Sequence, residues 1–202
     1  MLCLRQISFA GTPASPWTGY WGAGQLEDAE NGLTGDFRTL LHGVWNDLLG
    51  LDDRVCEMDK LIKRLAEKHE ECVRLQQLRG VGPMISTAMI ATVGDARQYR
   101  TSRQMAAAIG ITPKQHSSGD RDRLLGISKR GDVYLRTLMI HGARAVVARA
   151  AHKDDRLSRW VTNIAKQKHP NVAAVALANK TARMAWAMLR NETDYDPDFA
   201  IS

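Results

Sequence analysis

The sequence predicts an all-α fold: a long coiled-coil-like helix, two helices around a glycine turn, a basic loop and a helical C-terminal bundle. Three observations carry this. Apolar residues recur at helical spacing over most of the chain from Phe37 onward. Strand-like alternation is scarce. The breaks between periodic stretches fall at glycine and proline. With 44% hydrophobic and 25% charged residues, near the globular average, the 202-residue chain is expected to fold.

Residues 1–35 are expected to form an irregular leader, since Gly11, Pro13, Pro16, Gly19, Gly22 and Gly24 interrupt any period. Trp17, Tyr20 and Trp21 within it read either as part of that tail or as a binding patch. A helical segment is expected over 36–76. Phe37, Leu41, Val44, Leu48, Leu51, Val55, Met58, Ile62 and Leu65 step alternately by four and three, which is a heptad seam. Gly43 and Gly50 each weaken that helix by about 1 kcal/mol relative to alanine. Such a seam packs either on its own domain or on a partner helix. Its length favours a partner, and with it a homo-oligomer formed through residues 37–65.

A domain over 77–192 follows, with a tail over 193–202. Its first helix runs from Met84 to Val93 and is closed by Gly94-Asp95. Arg97 to Gly110 suggests a short helix ending at a glycine, and Ile111 to Gly131, rich in Ser, Gly, Asp and Arg, reads as a loop or small hairpin. Further helices are expected from Asp132 to Ala151, from Asp154 to Lys168 and, after His169-Pro170-Asn171, from Val172 to Arg190.

The net charge of +6 is unevenly spread. Between Arg79 and Arg136 ten basic residues face four acids, so this third carries the whole surplus and is expected to meet a polyanion. Cys3, Cys56 and Cys72 form no C-x-x-C pair, which suits a reduced, cytoplasmic setting. No apolar run approaches the length of a membrane span, and residues 1–11 do not resemble an export signal.

Two places suit chemistry. In Gly80-Val81-Gly82-Pro83, two glycines allow close approach, and proline at the first helical position starts a helix whose free amides suit a phosphate. This resembles a helix-hairpin-helix unit, a non-sequence-specific binder of the DNA backbone, although such a turn is also used for packing alone. The second place runs from Thr112 through Lys114, Ser117, Ser118 and Gly119 to Arg121, Arg123, Lys129, Arg130 and Arg136. A serine hydroxyl among these cations suits attack on a phosphodiester, and a solvated turn is the plainer reading.

The ordered series Leu78-Arg-Gly-Val-Gly-Pro83, Gly94-Asp95, Arg100, Arg103 to Ala107, Gly110-Ile-Thr-Pro113, Ser118-Gly119, Ile127-Ser-Lys-Arg-Gly131 and Leu135-Arg136 resembles the C-terminal domain of the DEDD insertion-sequence transposases, the IS-one-ten and IS-eleven-eleven group. The likeness covers about residues 27–190. It implies DNA binding and strand transfer in DNA transposition, with Ser118 as the nucleophile and Ser117 and Ser128 close enough to compete for that role. It also implies DNA contacts from Gly80 and Gly82 in the hairpin and from Lys129, Arg130 and Arg136, beside which Val81 of the same turn and Lys114, Arg121 and Arg123 of the basic loop are expected to meet the DNA backbone. Family members act as oligomers, some with a guide RNA from the element. Their RuvC-like domain binds divalent metal, Mg2+, through four acidic residues, and no such stretch is evident here, so this chain is expected to hold no cofactor and to be a truncated, inactive copy by itself. The six histidines are scattered and form no metal motif. Two other readings stand beside this one: a non-catalytic helix-hairpin-helix DNA-binding module, and a coiled-coil interaction protein.

Overall fold

The computed structural model describes residues 28, 30, 32–118 and 121–197, without side chains at 115–118 and 121–125. Most of the expected leader lies outside the described residues. The chain divides into two compact units, one ending at Leu61 and the other beginning at Ile62.

Helix α1, Gly35–Lys68, is 34 residues long. It opens at Thr34, whose hydroxyl and carbonyl receive the amides of Phe37 and Arg38, and carries Asp36 at its positive end and Lys68 at its negative end. The heptad seam stays open to solvent: Val44, Leu51 and Val55 are each more than half exposed, and Ala66 alone in this helix is buried. The end of the helical segment expected over 36–76 lies in the second unit, because Ala66, Cys72 and Leu75 are buried there.

The second unit is all-α apart from one hairpin. Its helices are α2 Glu70–Leu75, α3 Pro83–Val93, α4 Ser102–Ile109, α5 Val133–Ala150, α6 Arg156–Gln167 and α7 Pro170–Asn191, with a 3-10 turn at Ala96–Gln98. Local chemistry sets most of the boundaries. Thr101, Asp132 and Asp155 cap α4, α5 and α6 by accepting the amides of Gln104, Leu135 and Ser158. His169 Nδ1 accepts the amide of Asn171, and Pro170 opens α7 where no amide is needed. Gly110, at φ +80, ends α4 in the left-handed conformation.

The core is organised around α7. Ala173, Ala174, Leu177, Ala178, Ala182 and Ala185 are wholly buried. Alanine is the best helix former and leaves the helix thin, so α4, α5 and α6 all pack directly against it. Met89, Met105, Ile111 and Leu135 fill the spaces between helices, each contributing about 1.5–3 kcal/mol by leaving water.

Candidate nucleic-acid interface

The glycine turn before α3 does two separate jobs. Gly80 sits at φ +83, and a Cβ there would meet the carbonyl of Gly142 at 2.8 Å, so this glycine presses the turn against the middle of α5. Val81 beside it is buried. Gly82 is different: an added Cβ would meet nothing within 4 Å, and the residue precedes Pro83 as the cap of α3. The amides of Met84 and Ile85 in that first turn have no intrahelical acceptor, which leaves the positive end of the helix beside an open position. Arg79 does not contribute to this opening. Its guanidinium reaches Asp155 at 2.8 Å and Ser158 at 2.9 Å, fixing the turn to the start of α6. Burial raises the Asp155 carboxyl, but hydrogen bonds from the Ser158 side chain, the Ser158 amide and Arg79 outweigh it and bring its pKa to about 2.

The basic stretch forms an antiparallel hairpin of β1, Pro113–Ser118, and β2, Arg121–Ile127. The register pairs Ser118 with Arg121, Ser117 with Asp122 and His116 with Arg123, with an irregularity between Pro113 and Gln115. The root of the hairpin is held by backbone closeness. The amides of Ser128 and Lys129 donate to the carbonyls of Thr112 and Gly110, at 2.8 and 3.1 Å. Gly131, at φ +109, lies so close to α4 that a Cβ would overlap the carbonyl of Ala108. Lys129 itself has φ +56, a conformation that side chains other than glycine rarely adopt.

Lys114, Lys129 and Arg130 at this root are exposed. The side chains of Ser118, Arg121 and Arg123 lie outside the described residues. Arg136 is placed in the interior, 8% exposed, where it donates to the carbonyl of Ile109 at 3.1 Å and so ties α5 to the end of α4. Ser128, beside Lys129, has a buried hydroxyl without a hydrogen-bond partner among the described residues. Asn179 of α7 donates to the carbonyl of Ile111 and anchors the hairpin's entry, a role no local motif announces. Among the described residues no three His, Cys, Asp or Glu side chains gather to hold a metal ion, and no helix is long and apolar enough to cross a membrane.

Together these features define an all-α protein that presents a basic, glycine-pinned hairpin. Residues 72–158 match the family described as Transposase IS116/IS110/IS902 family. A Pseudomonas aeruginosa protein described as "Probable family 20 transposase" is 48% identical over 158 residues, 78% of this chain and 47% of its own length. The Coxiella burnetii "Transposase for insertion sequence element IS1111A" is 42% identical over 164 residues, 81% of this chain and 45% of its own. The Yersinia enterocolitica "Transposase for insertion sequence element IS1328" is 37% identical over 143 residues, 69% and 43% of the two chains. The chain spans a little under half the length of these relatives, and over that shared stretch it is similar to the IS116/IS110/IS902 family of transposases.

Proposed function

We propose that this chain is the part of an insertion-element transposase that grips DNA and delivers the attacking hydroxyl. The observation that carries this reading is a hairpin pairing Ser118 with Arg121 above a root that exposes Lys114, Lys129 and Arg130, within a stretch 48% identical to a protein described as a transposase. The oxygen of Ser118 bonds to phosphorus, one ester bond of the phosphodiester breaks, the serine proton leaves, and the released strand hydroxyl gains a proton. The atoms balance without an oxidant or reductant. Lys114, Arg121, Arg123, Lys129 and Arg130 stabilise the charge that develops on phosphorus. Gly80 and Val81 shape the turn, and the amides following Gly82 hold a neighbouring phosphate. Arg136 acts from the interior as a positioning residue. The Mg2+ that the family resemblance implies finds no three-residue ligand set among the described residues.

The partners in this reading are DNA, a guide RNA from the element and a second copy of the chain, in the cytoplasm. The exposed seam of α1 supports the last of these, since Leu48, Leu51, Val55 and Met58 present an apolar stripe of the kind a parallel or antiparallel partner helix covers.

The test is a strand-cleavage assay on the full chain, run with and without a separately supplied RuvC-like half and read as a protein-DNA covalent adduct on a denaturing gel. The adduct should vanish in Ser118→Ala while DNA affinity stays unchanged. An adduct that persists in Ser118→Ala transfers the role to Ser117 or Ser128. A chain that binds no DNA ends the proposal.

A further inference from the structure

We propose that α7 carries a second track for a nucleic-acid backbone, formed by Lys180, Arg183 and Arg190 with the half-buried rings of Trp160 and Trp186. It deepens the nucleic-acid reading above and rests on it. At 100° per residue the three cations fall within an arc of roughly 80° on one side of the helix and span about 15 Å along its axis, room for a few nucleotides.

Each cation is held in place. Lys180 Nζ lies 5.3 Å from the centre of the Trp160 ring. The Arg183 guanidinium donates to Ser102 Oγ at 3.4 Å. Arg190 lies 5.0 Å from the Trp186 ring and donates to the carbonyls of Tyr99 and Arg100. Beside them opens a cavity of about 300 Å³ whose walls include Ser102, Lys180, Arg183, Trp186 and Tyr195.

The charge around this cavity is unbalanced. Arg74, Arg79, Arg97 and Arg159 each have an acidic partner, whereas among the described residues Lys180, Arg183 and Arg190 form no ion pair. Asp194 also lines the cavity but is taken up by Arg74 and Gln77, and Asp196 there is likewise engaged. Burial pushes the Lys180 ammonium below its ordinary pKa, and the neighbouring Arg183 and Arg156 push it further. Like charges held together on rigid supports, none of them in an ion pair among the described residues, suit a phosphodiester. Adjacent tryptophan rings suit the bases of an unpaired strand.

The test titrates the full chain with labelled single-stranded DNA, single-stranded RNA and duplex DNA of one sequence over a range of salt. The variant combines Lys180→Met, which keeps the stem against Trp160, with Arg183→Gln. Two lost phosphate contacts should flatten the salt slope by about 1.4 for a single strand or about 1.8 for a duplex, and weaken binding about tenfold near physiological salt. The arm showing this loss identifies the nucleic acid, and Arg183→Lys should keep wild-type binding. Should the double variant melt early, Lys180→Met alone is read against half those slope changes. Unchanged slope and affinity in all three arms overturn the inference. If Lys114→Gln with Lys129→Gln still lowers affinity in that case, the hairpin reading survives and only the α7 track is lost. A wild-type chain that binds none of the three sinks both.

Discussion

Replacing Gly142 by alanine sets two effects of known size against each other. In the interior of α5, alanine is favoured over glycine by about 1 kcal/mol on helix propensity alone. Against that, a Cβ at Gly142 would lie 2.1 Å from the carbonyl oxygen of Gly80 and 2.9 Å from Cδ1 of Ile85. The isoleucine methyl can move, but the carbonyl belongs to a backbone held at φ +83 and anchored by Arg79 to Asp155. The turn must therefore draw back from α5 by on the order of 1 Å, and overpacking of this kind costs about 1–3 kcal/mol or more. A backbone contact this short belongs at the upper end of that range, so the collision outweighs propensity and leaves a net loss of about 2 kcal/mol. Thermal unfolding followed by circular dichroism should show the midpoint falling by about 4–8 °C, at 2–4 °C per kcal/mol for a chain of this size. Gly50 in α1 is the control. An added Cβ there meets nothing within 4 Å, so Gly50→Ala should stabilise its helix by about 1 kcal/mol. A Gly142→Ala protein that melts at or above the wild-type midpoint would refute the close approach between the glycine turn and α5.

Arg136→Met keeps the buried stem but removes the donor to the Ile109 carbonyl, so urea unfolding should show a loss of about 1–3 kcal/mol. No loss, together with a weaker salt dependence of DNA binding, would restore Arg136 as a direct phosphate contact. For Asp155, the folded pKa of about 2 lies below the ordinary carboxyl value of 3.8. The carboxylate's contribution is therefore complete above pH 3.8 and is lost as pH falls toward 2. Asp155→Asn should flatten the stability-pH curve across that interval and leave its shape near neutrality unchanged; an unaltered acid limb would discount the pairing with Arg79.

Most of the helix boundaries were legible because their causes are local. Asp132 and Asp155 accept the amides three residues ahead and Gly110 reverses the chain by its own conformation, so a reading that sees only neighbours finds these ends. The short helix expected from Arg97, by contrast, begins only at Ser102, after a 3-10 turn and the Thr101 cap. The α1 seam was equally plain, since a stripe repeating every seven residues needs no knowledge of the rest of the molecule. The hairpin was half legible. Ile111 to Gly131 lacks the apolar alternation of a buried strand, and its pairing depends on Gly110 and Gly131 allowing α4 and the entry to α5 to touch backbone to backbone. Nothing in the loop's own composition records that contact.

Charge misled in both directions, for one physical reason. Summing cations over residues 79–136 treats each as facing water, yet Arg79 is spent on Asp155 and Arg136 on a helix-end carbonyl, so neither adds to the surface field as an exposed lysine does. Outside that window the sum came to balance, which hid Lys180, Arg183 and Arg190, because it counted Glu192 and Asp194 against them although these acids pair with Arg97 and Arg74. A field falls off within about 8–10 Å at moderate salt, so only neighbours in the fold can neutralise a cation. The relevant count is made along a helix face, where positions three, four and seven apart combine, after charges already paired in the fold are removed. Made that way, the count adds one side of α7 to the root of the hairpin, and that addition follows from geometry that a running sum along the chain does not register.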